Sequence, residues 1–287
     1  MLSRRDFGAL LAAAQSFPDI RSVPADLVTP EMIDAAPAAG RRVRHTLHEY
    51  AGTGVHHALY LPSNWNSDRR FPVIVEYAGN GNYQSPFGDV STGRVEGSNL
   101  GYGISGGFDF IWIGVPCVNK RERRNEAIWW GDADATADYC RKAVERVCYE
   151  YRGDPNSVIL TGFSRGAIAC NYIGLRNDAI ARQWLAFVPF SHYDGVSGWE
   201  YPASDRFSAL QRLRRLNGRA QFICHEQSVE DTRQYLSTTG VRAPFAFQAV
   251  NFRNHSDAWV LRDVPERRVL REWISDVLKR RPGQAAS

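Results

Sequence analysis

The stretch VILTGFSRGA, residues 158–167, decides the fold of this chain. Residues 158–161 form an apolar run suited to a buried strand, and residues 167–175 suit a helix. Between them lies the pentapeptide G-x-S-x-G, whose glycines let a strand and a helix pass close together on either side of a tight turn. A serine at the tip of such a turn takes a strained backbone conformation. This context predicts that Ser164 is a nucleophile.

Apolar runs alternate with helical patterns along most of the chain. Strands are predicted at residues 54–61, 71–77, 108–115, 158–161, 184–190, 221–225 and 245–252, and helices at 132–149, 167–175, 204–216, 228–236 and 266–280. Runs rich in β-branched residues, such as FPVIVEY at 71–77, are typical of strands buried on both faces of a parallel sheet. The alternation predicts an α/β fold with a mostly parallel central sheet and helices on both faces.

The first residues predict an export signal. SRRDF at residues 3–7, followed by the apolar residues 8–14, resembles the twin-arginine motif of bacteria. We therefore expect an exported protein, periplasmic or extracellular, with a cytoplasmic protein as the alternative. Residues 15–42 show no sustained period and read as a linker or a surface-hugging arm. Residues 43–287 are predicted to form one α/β domain.

Composition excludes several classes of function. The net charge of +4 comes from 35 basic and 31 acidic residues spread along 287 positions. The basic clusters at 120–124 and 212–215 lack the interleaved aromatic residues of a single-stranded nucleic-acid site, and no apolar run approaches the roughly 20 residues of a membrane-spanning helix. We expect neither a nucleic-acid nor a membrane partner. Five cysteines without a CxxC pair predict free thiols, with one disulfide as an open alternative: Cys117, Cys140, Cys148, Cys170 and Cys224.

A serine hydroxyl needs a base to take its proton. Where a G-x-S-x-G turn carries the nucleophile, the chain order is serine, acid, histidine, and the histidine follows the last strand. His255 stands there, directly after residues 245–252. It is the predicted base, and His192 and His225 are the alternatives. Packing or surface positions suffice for the four histidines that precede the turn: His45, His48, His56 and His57.

The segments LPSNW, RRFPVIVEYAGNG, VILTGFSRGA, QFICHE and FRNHSDAW together resemble the α/β-hydrolase esterases. The nearest group is the secreted one that holds polyhydroxyalkanoate depolymerases, feruloyl esterases and acetyl xylan esterases. The resemblance covers about residues 54–280, and its specific part is the turn at Ser164 with the strand before it. It implies a Ser–His–acid triad, two backbone N–H donors for an oxyanion, no cofactor and no metal.

The acid is the least determined member of this triad. The family places an aspartate on the loop after the strand at 221–225, but here the segment reads HEQSVED and departs from that pattern. If Ser228 caps the next helix, the loop is short and Glu226 is the acid best placed to reach His255. Three other carboxylates stay open as alternatives: Glu230, Asp231 and Asp194.

The resemblance also places the oxyanion donors. One is the backbone N–H of Arg165, and the other comes from Gly79 or Asn80, in the loop after FPVIVEY. Ala78 stands where the family has a histidine. We expect the Arg165 side chain to face solvent, with an alternative placement in the cleft like that of the arginine after the serine in glucuronoyl esterases.

The predicted function is hydrolysis of a carboxylic ester through an acyl-enzyme. The expected substrate is a small-molecule or polysaccharide-linked acyl ester, or a polyester. A non-catalytic module that binds carbohydrate or a protein partner is the second hypothesis, and a serine peptidase of the same fold is the third. Two features stay open: whether the glycine-rich residues 85–107 form a lid, and whether four aromatic residues form a substrate platform or pack inside: Trp129, Trp130, Trp199 and Tyr201.

Overall fold

An eight-stranded sheet forms the centre of the fold. The structure is a computed structural model that describes residues 17–280. The export signal predicted at residues 1–14 lies outside the described residues. In chain order the strands are β1 (Arg42–His45), β2 (His57–Tyr60), β3 (Phe71–Tyr77), β4 (Ile111–Val115), β5 (Gly153–Phe163), β6 (Ala186–Phe190), β7 (Ala220–Glu226) and β8 (Phe245–Val250). Their order across the sheet is β1-β2-β4-β3-β5-β6-β7-β8. Strand β2 runs antiparallel to its neighbours β1 and β4, and the other neighbouring pairs of this sheet are parallel. The predicted, mostly parallel sheet is confirmed.

Helices cover both faces of this sheet. They are α1 (Leu100–Ser105), α2 (Ala133–Glu150), α3 (Arg165–Tyr172), α4 (Asp178–Ala181), α5 (Arg206–Leu213), α6 (Glu230–Thr239) and α7 (Pro265–Lys279). Residues of α2 to α6 pack into one apolar cluster, and residues of α1 and α7 pack into another. Val73 and Val75 of β3 point into the first cluster, whereas Ile74 points into the second. Each fully buried side chain of this size stabilises the fold by roughly 1.5–3 kcal/mol.

Several short elements connect these helices and strands. The described 3-10 helices are Ile20–Ser22, His48–Tyr50, Val95–Gly97, Arg214–Leu216 and Asp257–Leu261. Two small hairpins pair Tyr83–Gln84 with Val90–Ser91, and Cys117–Asn119 with Arg124–Glu126. The glycine-rich residues 85–107 therefore contain a hairpin strand, a 3-10 turn and α1.

Several elements differ from the sequence predictions, among them α4 and the two small hairpins, which were not predicted. Strand β1 was not predicted, because its sequence RVRH is half charged, yet it pairs along its whole length with β2. Ser228 was predicted to cap α6, and this prediction is wrong. The helix begins at Glu230 with Val229 at its N-cap and no side-chain cap. A tight turn precedes the helix: Gln227 has a φ of 63°, and the Ser228 N–H donates to the Glu226 carbonyl. Because of this turn, Ser228 lies one residue before the N-cap position.

The described part of the N-terminal arm lies against the loop that follows β8. The Ile20 N–H donates to Asn254 Oδ1 at 2.7 Å, and the Arg253 N–H donates to the Pro18 carbonyl at 3.0 Å. Further along, the N–H groups of Asp26 and Leu27 both donate to the Leu261 carbonyl. The arm thus holds the loop from residue 253 to residue 261 at several points.

All five cysteines are free thiols, and four of them are buried. The disulfide that the sequence left open does not form. Burial raises the pKa of the Cys140 thiol to about 12, so this group behaves as a small apolar side chain. No helix within residues 17–280 is both long enough and apolar enough to cross a membrane.

At the turn between β5 and α3, main chain packs directly on main chain. A Cβ on Gly162 would lie 2.1 Å from the Gly166 carbonyl oxygen, and a Cβ on Gly166 would lie 1.9 Å from the Tyr77 carbonyl oxygen. Backbone meets backbone at both places, so no flexible side chain can move aside. Only glycine fits either position.

The substitution Gly166→Ala is expected to destabilise the protein by about 3 kcal/mol or more, because β3 and α3 must separate to admit the methyl group. Gly198→Ala is the matched control, since a Cβ there meets nothing within 4 Å. Urea unfolding of both variants measures the difference. Equal stability of the two variants would show that the contact at Tyr77 is not as tight as described.

Candidate active site

Ser164 stands at the tip of the turn between β5 and α3. Its backbone has φ 54° and ψ −115°, a conformation that residues with a side chain rarely adopt. The conformation is held from both sides: the Ser164 N–H donates to the Phe190 carbonyl at 2.9 Å, and the Ser164 carbonyl accepts from Ala167 and Ile168 of α3. The hydroxyl is thereby held out at the carboxyl end of the sheet.

A histidine and a carboxylate from two later loops complete a hydrogen-bonded chain. His255 Nε2 lies 3.0 Å from Ser164 Oγ, and His255 Nδ1 lies 2.9 Å from Glu226 Oε1. Because β7 and β8 are parallel neighbours, with Glu226 in register with Val250, their carboxyl ends deliver both groups to one place. The structure brings together all three residues that the sequence predicted as the triad.

The charge on Glu226 determines which nitrogen of His255 carries a proton. Burial opposes ionisation of the carboxyl, but hydrogen bonds and the His255 charge outweigh it, so the pKa of Glu226 lies below its usual value. An ionised carboxylate can only accept, so His255 Nδ1 carries the proton and donates it. The Nε2 lone pair then faces the Ser164 hydroxyl and can accept its proton.

No family model and no curated protein sequence matches this chain, but solved structures do. A thermostable esterase matches with a TM-score of 0.50 at 15% identity, over 82% of this chain and 62% of that one. An acetyl ester-xyloside bifunctional hydrolase from Caldicellulosiruptor lactoaceticus matches with a TM-score of 0.56 at 11% identity, over 85% and 98%. A putative dipeptidyl aminopeptidase IV from Bacteroides ovatus matches with 0.54 at 15%, over 79% and 34%.

This chain spans less than two thirds of the thermostable esterase and about a third of the aminopeptidase, and the names of the three proteins imply different substrates. What they share with it is the sheet and its helices. The chain has the α/β-hydrolase fold. Ser164 lies on the elbow, the strand–turn–helix from β5 to α3 at which the sequence predicts a nucleophile.

The other candidate acids of this α/β-hydrolase domain are bound elsewhere. Asp194 is buried and accepts from Arg212 Nε at 2.7 Å and from Arg212 Nη2 at 2.9 Å. Glu230 pairs with Arg233 on the outer surface of α6, and Asp231 is exposed beside it. The structure therefore leaves Glu226 in contact with His255 and separates the three alternatives from it.

The two histidines predicted as alternative bases also lie farther than His255 from the Ser164 hydroxyl. The His225 ring lies between the Ser191 carbonyl and the Thr232 hydroxyl. His192 lies nearer, with its ring centroid 5.5 Å from that of His255, but it lines the cleft rather than contacting the hydroxyl.

Ser191 is a residue that the sequence reasoning missed. It follows β6 with a φ of 95°, and its Oγ lies 3.2 Å from His255 Nδ1. A hydrogen bond from Ser191 also helps to lower the pKa of Glu226. No local motif marks this serine; its position at the end of the strand between β5 and β7 is the only signal.

A cleft of about 290 Å³ opens beside the Ser164 hydroxyl. It is lined by Asn80, Gly81, Asn82, Tyr83, Trp129, Ser164, Arg165, Ile168, His192, Trp199 and His255. The four aromatic residues left open by the sequence divide: Trp129 and Trp199 line the cleft and contact each other with ring centroids 5.7 Å apart, whereas Trp130 and Tyr201 are buried in the core. Within residues 17–280, no cluster of three or more His, Cys, Asp or Glu side chains could hold a metal ion.

The predicted oxyanion donors occupy different positions. Arg165 is the first residue of α3, so its backbone N–H has no partner inside the helix. Asn80 lines the cleft, whereas Gly79 lies behind it, where an added Cβ would be 2.7 Å from Ser91 Oγ and 3.0 Å from the Phe163 ring. The expectation that the Arg165 side chain faces solvent is wrong; the residue lines the cleft, and its guanidinium is turned to the surrounding main chain. The side chain is buried and binds main-chain carbonyls.

His192 is expected to stay neutral until the pH approaches 4. Burial and the neighbouring His255 lower the pKa of its imidazole from 6.5 to about 4. In the unfolded chain the group takes its proton near pH 6.5, so between pH 6.5 and 4 acidification favours unfolding, by at most about 3 kcal/mol. An NMR titration, assigned with His192→Gln, measures the midpoint. A midpoint near 6.5 would contradict the burial of this ring.

Proposed function

We propose that this chain is a serine esterase that cleaves carboxylic esters through an acyl-enzyme, with Ser164 as nucleophile, His255 as general base and acid, and Glu226 as the carboxylate that orients His255. The observation that carries the proposal is the unbroken hydrogen-bonded chain from Ser164 Oγ through His255 to Glu226. The Ser164 end of this chain lies in an open cleft. Nucleophilic catalysis needs a nucleophile and a base within hydrogen-bonding reach of each other, and a third group that orients the base.

In the first half-reaction, Ser164 Oγ attacks the ester carbonyl carbon while His255 Nε2 takes its proton. The carbonyl π electrons move to oxygen, and the oxyanion accepts hydrogen bonds from the N–H groups of Arg165 and Asn80. When the intermediate collapses, the ester C–O bond breaks and His255 returns the proton to the departing alcohol oxygen. Water, activated by the same imidazole, then hydrolyses the acyl-Ser164 ester and releases the acid.

The electrostatics of the site favour this charge movement. The ionised Glu226 lies 2.9 Å from the imidazole and stabilises its charged form without taking the proton. The amino end of α3 lies at Ser164, where the helix dipole favours the negative charge of the oxyanion. His192, whose pKa is held near 4, adds no competing positive charge at neutral pH.

The cleft supports a substrate with an uncharged acyl group of modest size, such as an acyl group linked to a polysaccharide or a unit of a polyester. Its volume of about 290 Å³ lies near the lower end of the range for small-molecule sites. The indoles of Trp129 and Trp199 supply apolar walls, and the side chains of Asn80 and Asn82 supply amides. A polysaccharide or polyester substrate agrees with the export predicted from the N-terminus.

The alternatives are weaker on specific grounds. A non-catalytic binding module does not need a carboxylate hydrogen-bonded to His255. Here the largely buried Glu226 makes that hydrogen bond. A peptidase uses the same triad, so an aminoacyl-p-nitroanilide in the substrate panel separates it from an esterase. The likeness to an aminopeptidase covers 34% of that protein and concerns the fold.

Ser164→Ala is expected to lower kcat for p-nitrophenyl acetate by about 10⁴-fold or more, because no other hydroxyl lies at the tip of the turn. A fluorophosphonate probe should label the wild-type protein at Ser164 and leave the variant unlabelled. Ser197→Ala removes an exposed serine outside the cleft and is the matched control, with unchanged hydrolysis and labelling. Undiminished hydrolysis by Ser164→Ala would sink the proposal.

Glu226→Gln is expected to reduce kcat by about 10²- to 10⁴-fold while the protein stays folded, since an amide can donate to His255 Nδ1 and favour the wrong tautomer. Glu230→Gln is the matched control, because this exposed carboxylate pairs only with Arg233 among the described residues. Steady-state kinetics with p-nitrophenyl acetate compare the two. Equal activity of both variants would mean that Glu226 does not orient the base.

A further inference from the structure

The Arg165 side chain has no part in the proposed chemistry, yet it is buried at the edge of the cleft, with 3% of the residue exposed. Its Nη1 donates to the carbonyl oxygens of Ala127 at 2.8 Å and Trp129 at 2.6 Å, and its Nη2 donates to that of Gly93 at 3.1 Å. A guanidinium holds its donors in one rigid plane. It therefore fixes these three carbonyls relative to one another and to the elbow.

The segment from residue 127 to residue 129 passes this constraint to the loop after β3. The Ala127 carbonyl also accepts the Gly81 N–H at 2.7 Å, and the Trp129 N–H donates to Asn80 Oδ1 at 2.7 Å. The loop that carries the second oxyanion donor is thus bonded at two points to the segment that Arg165 holds.

Glycines make this connection stiff. A Cβ on Gly93 would lie 2.0 Å from the Ala127 carbonyl oxygen and 2.8 Å from the Gly81 Cα, and a Cβ on Gly81 would lie 2.9 Å from the Thr92 carbonyl oxygen. Main chain packs directly on main chain at these places. A shift of the segment at Ala127 must therefore move Gly81, because no side chain between them can absorb it.

Trp129 shows that the segment is held under strain. Its φ is 51°, in the left-handed region that a large side chain disfavours. Such conformations persist where the surrounding structure over-determines them. Here Asn80 Oδ1 accepts from the N–H of Trp129, and Arg165 donates to the Trp129 carbonyl. The two residues thus hold the main chain of Trp129 on both sides of its Cα.

We propose that the Arg165 side chain is a positioning residue for the oxyanion hole. It holds the segment from Ala127 to Trp129, this segment holds Asn80, and the Asn80 N–H stays aimed at the point where the oxyanion forms. The same residue supplies the other donor through its own backbone N–H. This inference rests on the proposed function and assigns the side chain after the nucleophile to support of the transition state.

Arg165→Met tests the side chain alone, because it keeps the backbone N–H and most of the side-chain length while it removes every donor. The kcat for p-nitrophenyl acetate is expected to fall about 10- to 100-fold, with KM changed less than about threefold. End-point labelling with a fluorophosphonate counts the active sites, so that unfolded protein does not enter kcat. The acid limb of the pH profile should not move, since Ser164, His255 and Glu226 are untouched.

Asn80→Ala cuts the same connection from its other end. If both residues act through one loop, the double variant should lose little more kcat than the worse single variant, rather than the product of the two losses. Arg165→Lys should recover part of the activity, because an ammonium can donate to some of the three carbonyls.

Arg219→Met is the matched control. Arg219 also donates to three main-chain carbonyls, those of Leu216, Ala181 and Arg215, away from the cleft. Its loss should lower Tm and leave kcat per labelled site unchanged.

Wild-type kcat per labelled site in Arg165→Met, or fully multiplicative losses in the double variant, would overturn the inference. If Arg165→Met does not fold, wild-type kcat in Arg165→Lys would overturn it instead. Absence of Ser164-dependent hydrolysis in the wild-type protein is a separate outcome, in which the proposed function itself fails.

Discussion

The rest of the structure depends on the direct contact between three stretches of main chain at Gly162, Gly166 and Tyr77. This contact lets α3 start at the carboxyl end of β5 and lie against the end of β3. The chain must then turn so sharply that Ser164 takes a positive φ, and its hydroxyl points out of the sheet. The next N–H in the chain, that of Arg165, opens toward the same place. One packing constraint thus sets the positions of both the Ser164 hydroxyl and the Arg165 N–H.

The parallel sheet brings the remaining groups to this point. The strands β5, β6, β7 and β8 are consecutive neighbours, and their carboxyl ends supply Ser164, Ser191, Glu226 and His255 in that order across the sheet. Ligands of open parallel sheets bind outside the carboxyl ends of the strands for this reason. Because Glu226 is ionised and lies 2.9 Å from His255 Nδ1, the unprotonated Nε2 of the ring faces the Ser164 hydroxyl.

Local sequence was sufficient for the inner strands, the longer helices and the turn that carries Ser164. The strand, the glycines and the helix around Ser164 are neighbours along the chain, and His255 follows from chain order after the last strand. The acid could only be narrowed to Glu226, Glu230, Asp231 and Asp194, because the distance of each from His255 depends on where β7 ends and how the next helix begins. The misplaced cap at Ser228 illustrates this uncertainty.

Features that depend on distant loops could not be predicted. The burial of Arg165 needs carbonyls from residues 93, 127 and 129, which no periodicity places together, so the side chain was expected in solvent. The division of the aromatic residues into cleft and core has the same cause. Ser191 was missed because its contact with His255 crosses the sheet.

The N-terminal arm affects when the loop that carries His255 reaches its place during folding. Ile20 binds Asn254, 234 positions further along the chain, so this contact closes a loop that contains almost the whole protein. Contacts of such long range form slowly. We therefore expect the loop that presents His255 to Ser164 Oγ to reach its final position late in folding, because this contact helps to hold it.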